Sequence, residues 1–180
     1  MKELRIQIGG RGGQGILLLG NILGRAAALY GNRHASLTEA YGPEARGGFS
    51  AARLVLSDSP VIDPFTGPTD IFIVLAQMAY DRLADGLSPQ GLVLYAKDRV
   101  RPRKLPVGVR SVAVDSSVLA EQAGVRQAEN MVMAGFFTGF TAALKSGWVQ
   151  RAIRECVPEK SVQANLAAFE LGRKAGLRNT

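Results

Sequence analysis

A glycine-rich segment near the N-terminus has the spacing of an anion-binding loop. Gly10, Gly12 and Gly15 satisfy the pattern G-x-G-x-x-G, and Gly13 and Gln14 lie between them. Glycines let the backbone turn tightly, and the N-terminus of a following helix offers free N–H groups and a positive dipole end to an anion. Because the lysine of a P-loop is absent, the pattern argues against phosphoryl transfer. Three interpretations stay open: an anion site, a turn that only lets strand and helix pack closely, and a complete NAD site.

A second segment, YGPEARGG at residues 41–48, places one carboxylate and one guanidinium among glycines and a proline. The glycines and the proline indicate that backbone shape matters there. In an active-site loop, Arg46 would neutralise a carboxylate or phosphate and Glu44 would orient it. In a docking loop, both charges would pair across a subunit interface; in a structural turn, they would pair with each other or with neighbouring residues. Gly47 and Gly48 would bring the backbone close to a ligand or to another subunit.

The composition is that of a globular protein, with 47% apolar and 21% charged residues. At 180 residues, we expect a single domain over residues 1–180. No apolar run reaches the length of roughly 18 residues that a membrane span needs, and the N-terminal MKELRIQIGG has no signal-peptide pattern. We therefore expect a soluble cytoplasmic protein.

Cysteine and histidine are too few for a metal centre. The chain has one cysteine, Cys156, and one histidine, His34, which can neither build a zinc site nor hold an iron–sulfur cluster. Cys156 lies in a helical pattern, which favours a buried, inert thiol over a nucleophile. We expect no metal site on this chain, so that any redox metal required for function would be held by another chain.

The net charge of +7 arises largely from one basic run. The run contains Arg99, Arg101, Arg103, Lys104 and Arg110. No aromatic residue interleaves with these cations and no DNA-binding motif is present, which argues against nucleic acid. A solvated loop and a surface for an anionic cofactor or an acidic partner are the two other interpretations.

Alternating strand and helix patterns predict an α/β fold. Strands are predicted around residues 4–8, 34–38, 49–57, 70–76, 91–96 and 110–115, and helices at 16–31, 77–87, 117–124, 127–147, 148–157 and 161–176. This order predicts a three-layer Rossmann-like sheet with helices on both faces and a helical C-terminal region. The glycine-rich segment then follows the first strand and opens the first helix, as the dinucleotide fingerprint requires. Glu39 stands at about the distance at which NAD-binding proteins place an acidic residue.

Four stretches together resemble a known family. GRGGQGILLLGNIL, TEAYGPEARGGFSAARLVLSDSPVIDP, NMVMAGFFTGF and QANLAAFELG occur in an order and spacing similar to those of the gamma subunit of 2-oxoacid:ferredoxin oxidoreductases. The resemblance covers nearly the whole chain, and it is greatest to the 2-oxoglutarate type, with pyruvate and branched-chain 2-oxoacids as the substrates of other members. The combination of GGQG with YGPEARGG is its most specific part.

The resemblance implies a subunit that has no catalytic activity in isolation. In such complexes, alpha- and beta-type subunits bind thiamine diphosphate and Mg²⁺, and a ferredoxin-like delta subunit and other [4Fe-4S] clusters carry electrons to ferredoxin. The 2-oxoacid is oxidatively decarboxylated, and coenzyme A takes the acyl group as a substrate. The resemblance implies that this chain packs against the thiamine-binding subunits and helps to form the coenzyme A region.

Two asparagines in the resembling stretches are candidates for functional hydrogen bonds. Asn130, at the head of the apolar NMVMAGFFTGF segment, is predicted to contact coenzyme A or a subunit interface, although core packing is the other interpretation of that segment. Asn165, in QANLAAFELG, has a weaker case and fits a helix-surface or packing amide. The alternative function is a free-standing Rossmann-like nucleotide-binding module with an NAD-dependent or regulatory role.

Overall fold

A six-stranded sheet forms the centre of the protein. The computed structural model describes residues 3–42, 47–103 and 105–179. The strands are β1 (Leu4–Arg11), β2 (His34–Tyr41), β3 (Phe49–Ser57), β4 (Thr69–Val74), β5 (Leu87–Ala96) and β6 (Arg110–Val114). Their spatial order is β2-β3-β1-β4-β5-β6.

Six α-helices surround the sheet in the described residues. They are α1 (Ile16–Arg25), α2 (Gln77–Leu83), α3 (Ser116–Gln122), α4 (Glu129–Thr141), α5 (Ser146–Cys156) and α6 (Val162–Leu177). A π-helical turn, Ala26–Tyr30, prolongs α1, so that the helical segment ends where the sequence pattern predicted its end, next to Gly31. The predicted α/β class, with helices on both faces and a helical C-terminal region, is confirmed.

The sheet is mixed. β1, β4, β5 and β6 are parallel, whereas β3 pairs antiparallel with β1 and β2 pairs antiparallel with β3. Ile8, at the centre of β1, faces Ala52 on one side and Ile73 on the other. The sheet order therefore places the start of β3 beside the end of β1, at the carboxyl edge of the parallel strands.

Helices cover the two faces of the sheet unequally. Ile6 and Ile8 belong to a large core shared with α1, α3, α4, α5 and α6. On the opposite face, Phe72 and Val74 of β4 pack with Tyr80 of α2 in a smaller cluster. The two helices that follow β1 and β4 thus lie on opposite faces, which determines where a crevice can form.

α4 and α6 cross at very short distance because glycines line their contact. A β-carbon at Gly135 would lie 1.9 Å from the carbonyl oxygen of Phe169, and one at Gly172 would lie 2.0 Å from that of Val132. Backbone therefore packs directly on backbone. The interpretation of NMVMAGFFTGF as a buried, tightly packed helix agrees with this contact. Within the described residues, no helix has both the length and the apolar character needed to cross a membrane.

Candidate functional site

A cleft opens at the carboxyl edge of β1 and β4. These parallel neighbours feed α1 and α2 on opposite faces, and such a point of divergence is where open α/β sheets bind ligands. The cleft has a volume of about 690 Å³. It is lined by Arg11, Gly13, Gln14, Leu75, Ala76, Gln77, Met78, Arg99, Arg126, Gln127 and Glu129.

The glycine-rich segment forms one wall of this cleft. Gly13 and Gly15 have φ angles of +94° and +68°, a left-handed conformation that glycine adopts without strain. Among the described residues, the N–H groups of Gly13 and Gly15 have no hydrogen-bond acceptor. They lie directly before the first turn of α1, where the helix dipole is positive. This wall therefore offers backbone donors to an anion.

Gln14 connects the two strands that bound the cleft. Its Oε1 accepts a hydrogen bond of 2.7 Å from the backbone N–H of Arg11, and its Nε2 donates one of 3.0 Å to the carbonyl oxygen of Leu75. Gly10 lies beneath it, where a β-carbon would stand 2.5 Å from the end of the Ile16 side chain. Gln14 thus fixes the loop after β1 to the end of β4, and Gly10 allows strand and helix to pack.

The side chain of Asn130 is hydrogen-bonded to the same loop. Its Nδ2 donates a hydrogen bond of 3.2 Å to the carbonyl oxygen of Gly15, and its Oδ1 accepts one from the N–H of Met131. The Asn130 side chain is buried, and a β-carbon at Gly15 would collide with it. The structure therefore brings the predicted residue Asn130 to the glycine-rich loop.

The YGPEARGG segment joins β2 to β3 at this edge. Glu44 and Arg46, predicted as the charged pair of the segment, lie outside the described residues. On either side of them, Gly42 N–H donates to the carbonyl oxygen of Phe49 over 2.9 Å, and Gly12 N–H donates to that of Gly48 over 2.8 Å. The two predicted loops therefore share a hydrogen bond between their glycines.

A second contact between the loops involves their bare backbones. A β-carbon at Gly12 would lie 3.4 Å from the backbone nitrogen of Gly47, which itself has a φ of +65°. A β-carbon at Gly12 would thus only just reach van der Waals contact with the second loop, and at Gly47 it is the left-handed φ that favours glycine.

The residues of the basic run lie in different parts of the structure. Arg103 pairs with Asp85 over 2.8 Å, near the start of β5 and therefore at the opposite edge of the sheet. Arg110 stacks over the ring of Phe140, with its guanidinium carbon 5.6 Å from the ring centre. Lys104 lies outside the described residues. Arg101, Arg103 and Arg110 are thus not among the residues that line the cleft, contrary to the interpretation of the run as one anion-binding cluster.

Among the described residues of the basic run, Arg99 lines the cleft, and it makes a bidentate ion pair there. Its Nε and Nη2 donate hydrogen bonds of 3.1 and 2.6 Å to the two carboxylate oxygens of Glu129. The hydroxyl of Ser116 donates a third bond, of 3.1 Å, to the same carboxylate. The hydrogen bonds to Glu129 raise the pKa of the Arg99 guanidinium above its ordinary value.

Sequence reasoning missed Glu129. The available signal was an acidic residue immediately before an apolar helical run, since a carboxylate that enters a core must be paired. Its partner Arg99 is 30 residues away, so no local pattern connects the two.

The described residues of the cleft lining have a positive net charge. Arg11, Arg99 and Arg126 are its cations, and Glu129 is the acidic residue among these described residues. Arg126 pairs with Glu121, whereas the Arg11 side chain has no hydrogen-bond or ion-pair partner among the described residues. The guanidinium groups and the backbone N–H groups of the described lining are donors that suit an anion.

The position of Glu39 differs from that of an NAD-binding acidic residue. Glu39 lies on β2, which β3 separates from β1, and its carboxylate accepts a hydrogen bond of 2.9 Å from the Tyr41 hydroxyl. An NAD-binding acidic residue would instead follow the strand beside β1.

In the described residues, no group of three or more His, Cys, Asp or Glu side chains is arranged to hold a metal ion. Cys156 is half-buried, and this burial raises the pKa of its thiol.

Known proteins match the chain over almost its whole length. Residues 5–175 match the family described as pyruvate ferredoxin/flavodoxin oxidoreductase. The chain is 40% identical over 173 residues to the 2-oxoglutarate synthase subunit KorC of Methanocaldococcus jannaschii, a match that covers 95% of this chain and 91% of KorC. It is 33% identical over 183 residues to the ketoisovalerate oxidoreductase subunit VorA of Methanothermobacter thermautotrophicus, covering 98% of this chain but 37% of VorA.

Solved structures share the fold. The gamma subunit of a keto/oxoacid ferredoxin oxidoreductase from Geobacter sulfurreducens superposes with a TM-score of 0.87 at 30% identity, covering 99% of this chain and 98% of that one. A 2-oxoglutarate:ferredoxin oxidoreductase from Magnetococcus marinus gives a TM-score of 0.90 at 21% identity, over 100% of this chain and 32% of that one. At 21% identity, the similarity to the Magnetococcus marinus enzyme supports only a shared fold.

These matches confirm the resemblance inferred from the GGQG and YGPEARGG motifs. The chain is a gamma-type subunit of a 2-oxoacid:ferredoxin oxidoreductase and thus part of an oxidoreductase. Its fold, its two adjoining glycine loops and its sequence lead to one conclusion: the chain belongs to the pyruvate ferredoxin/flavodoxin oxidoreductase family.

Proposed function

We propose that this subunit serves a complex that oxidatively decarboxylates 2-oxoglutarate to an acyl-CoA and CO₂ and reduces ferredoxin. The relatives named as 2-oxoglutarate synthase subunits support this substrate, with an identity of 40% against 33% for the ketoisovalerate relative. The assembled complex should therefore turn over 2-oxoglutarate with a higher kcat/KM than pyruvate or 2-ketoisovalerate. A clear preference for either of the other two acids would overturn the substrate assignment.

The cleft is the proposed approach for coenzyme A. Coenzyme A is a polyanion, and the cleft offers the guanidinium groups of Arg11 and Arg99 together with the unpaired N–H groups of Gly13 and Gly15. Its volume of about 690 Å³ is within the usual range for small-molecule sites. The observation that carries the proposal is the open, positively charged crevice where β1 and β4 diverge.

The other cofactors are proposed to lie on partner subunits. Thiamine diphosphate with Mg²⁺ would be held by alpha- and beta-type subunits, and [4Fe-4S] clusters by partners that include a ferredoxin-like delta subunit. One cysteine cannot supply the ligands of a [4Fe-4S] cluster. Thiamine diphosphate provides the carbanion chemistry of the decarboxylation, whereas the residues of this chain bind and orient coenzyme A. Purification of this chain from its native host should recover thiamine-binding and ferredoxin-like subunits in fixed ratio; a monomer carrying stoichiometric NAD would support the nucleotide-binding alternative.

Glu44 and Arg46 are proposed to act at the shared catalytic region. The flanking glycines Gly42, Gly47 and Gly48 support this proposal, because they lie at the same sheet edge as the glycine-rich loop. An Arg46→Ala variant separates the two functional interpretations. Normal assembly with lost turnover supports an active-site role, and a complex that dissociates supports docking.

Kinetics of the assembled complex test the cleft. Replacing Arg11 with alanine removes a guanidinium from the cleft, so we expect the KM for coenzyme A to rise about tenfold, while the KM for 2-oxoglutarate stays unchanged. Arg103→Ala is the matched control, because Arg103 pairs with Asp85 at the opposite edge. An unchanged KM for coenzyme A in the Arg11 variant, or an equal rise in both variants, would remove coenzyme A from the cleft.

A further inference from the structure

Glu129 has an unusual position for a carboxylate. It is the first residue of α4 and is 8% exposed. Three hydrogen bonds reach its two oxygens, two from Arg99 and one from Ser116. Burial of a charged group is costly unless the charge is paired and hydrogen-bonded, and this site meets both conditions. The pair is therefore a fixed part of the cleft wall.

The ion pair occupies only part of the Arg99 guanidinium. Nε and Nη2 face the carboxylate, and Nη1 has no hydrogen-bond partner among the described residues. The Arg99 side chain is 44% exposed and lines the cleft. A free arginine loses rotamer entropy when it binds an anion, and a guanidinium that is already held in place loses less.

We infer that Glu129 is a positioning residue, which holds the Arg99 guanidinium in the cleft so that its unpaired nitrogen meets a phosphate of coenzyme A. The inference rests on the proposed binding of coenzyme A in the cleft. An isolated arginine at this place would be mobile, whereas the planar two-pronged contact with Glu129 sets both its position and its plane. Glu129 itself does not contact the ligand in this role.

The neighbour of Glu129 strengthens the inference. Asn130, the next residue of α4, donates a hydrogen bond to the carbonyl oxygen of Gly15 in the glycine-rich loop, whose Gly13 and Gln14 line the cleft. Two consecutive residues of one helix therefore contact two groups proposed to bind the anion, the Arg99 guanidinium and the glycine-rich loop. The start of α4 sets the spacing between the groups that would contact the anion.

A double-mutant cycle in the assembled complex tests this role. Glu129→Gln and Arg99→Ala should each raise the KM for coenzyme A by about five- to tenfold, with kcat and the KM for 2-oxoglutarate within about twofold of wild type. In the Arg99→Ala background, Glu129→Gln should add nothing, because Glu129 acts through Arg99. An equal additional rise in that background would mean a structural role and would overturn the inference.

Two further measurements keep the inference testable if Glu129→Gln fails to fold. Arg99→Lys retains the charge but loses the two-pronged contact, so the KM for coenzyme A should still rise; a wild-type value would overturn the inference. Pantetheine, which has the same thiol without the nucleotide phosphates, should react equally well with wild type and variants. If the variants lose as much activity with pantetheine as with coenzyme A, the result would count against a phosphate contact.

The variants together separate the inference from the proposed coenzyme A site. If Arg11→Ala raises the KM for coenzyme A and the Glu129 and Arg99 variants do not, coenzyme A binds in the cleft but Glu129 has no positioning role. If none of them does, the proposed coenzyme A site itself is wrong.

Discussion

The side-chain amide of Asn130 and the backbone of Gly15 are so close that a β-carbon on Gly15 would lie 2.2 Å from the amide nitrogen. The contact joins the start of α4 to the loop that opens α1, across 115 residues of sequence. A side chain at residue 15 and the buried amide of Asn130 therefore exclude each other. Asn130, predicted as a ligand or interface residue, has an intramolecular hydrogen bond in the structure, and its effect on a ligand would be transmitted through the glycine-rich loop.

Replacing Asn130 with alanine should therefore weaken both the fold and the site. Loss of this buried hydrogen bond should lower the free energy of unfolding by about 1–3 kcal/mol, measured by urea denaturation of the full chain. Asn165→Ala is the matched control, because its amide also donates to a backbone carbonyl, that of Ser161, and neither residue lines the cleft. The KM for coenzyme A should rise in the Asn130 variant alone, and an equal rise in both variants would contradict a local effect.

The crossing of α4 and α6 should not tolerate a methyl group. Gly135→Ala would place a β-carbon 1.9 Å from the Phe169 carbonyl oxygen, so the helices would have to separate. We expect a loss of about 3 kcal/mol or more in the free energy of unfolding, at the upper end of overpacking effects. Gly147→Ala in α5 is the control: its β-carbon would meet open space, and we expect a gain of about 0.5–1 kcal/mol. A mild effect at Gly135 would show that the helices can move apart.

Gln14→Glu should weaken the binding of an anion in the cleft, although it leaves every guanidinium group in place. The variant replaces the Nε2 donor to Leu75 with a negatively charged oxygen, and it adds a negative charge where an anion is proposed to bind. We expect the KM for coenzyme A to rise about tenfold or more, with the KM for the 2-oxoacid unchanged. Gln150→Glu, which alters a similar amide on α5 that donates to the Ser146 hydroxyl, should behave as wild type.

A surface carboxylate makes the stability depend on pH. Glu155 accepts hydrogen bonds from Tyr30 and Arg25, and these lower its pKa below the ordinary value of 4.5. Because the folded state then binds a proton less readily than the unfolded state, the stabilisation is present above about pH 4.5 and is lost as the pH falls through the folded value.

Thermal unfolding of Glu155→Gln checks this dependence. The variant should have a lower Tm than wild type at pH 7, and the difference should shrink as the pH falls below 4.5. Glu159→Gln, at a carboxylate without a hydrogen bond or ion pair among the described residues, should show no such change. A difference in Tm that stays constant from pH 7 to pH 3 would rule out the ion pair as its source.

The sequence predicted much of the fold because the local patterns are unambiguous. The apolar run predicted as a strand at 70–76 corresponds to β4 (Thr69–Val74), which is largely buried, and the glycine-rich segment does open α1. The antiparallel insertion of β3 between β1 and β2 was not predicted, although its signal was present. Residues 42–48 are too few for a parallel crossover, so β2 and β3 must form an antiparallel pair.

The sequence could not reveal how the charged residues are distributed. Arg99 and Arg103 are close in sequence, yet one lines the cleft and the other pairs with Asp85 at the opposite edge, because the chain runs back along the sheet between them. The ion pair of Arg99 with Glu129 likewise depends on tertiary packing, which no local spacing encodes.

The adjacency of Glu129 and Asn130 has a consequence for sequence divergence. Successive residues of an α-helix differ in direction by about 100°, so an insertion between these two would turn one of them away from its partner. Insertions in the turn before α4 would instead leave both contacts intact. Relatives that keep the cleft should therefore vary in length before the Glu-Asn dipeptide and never within it, and those that have lost the glutamate should have lost the arginine as well.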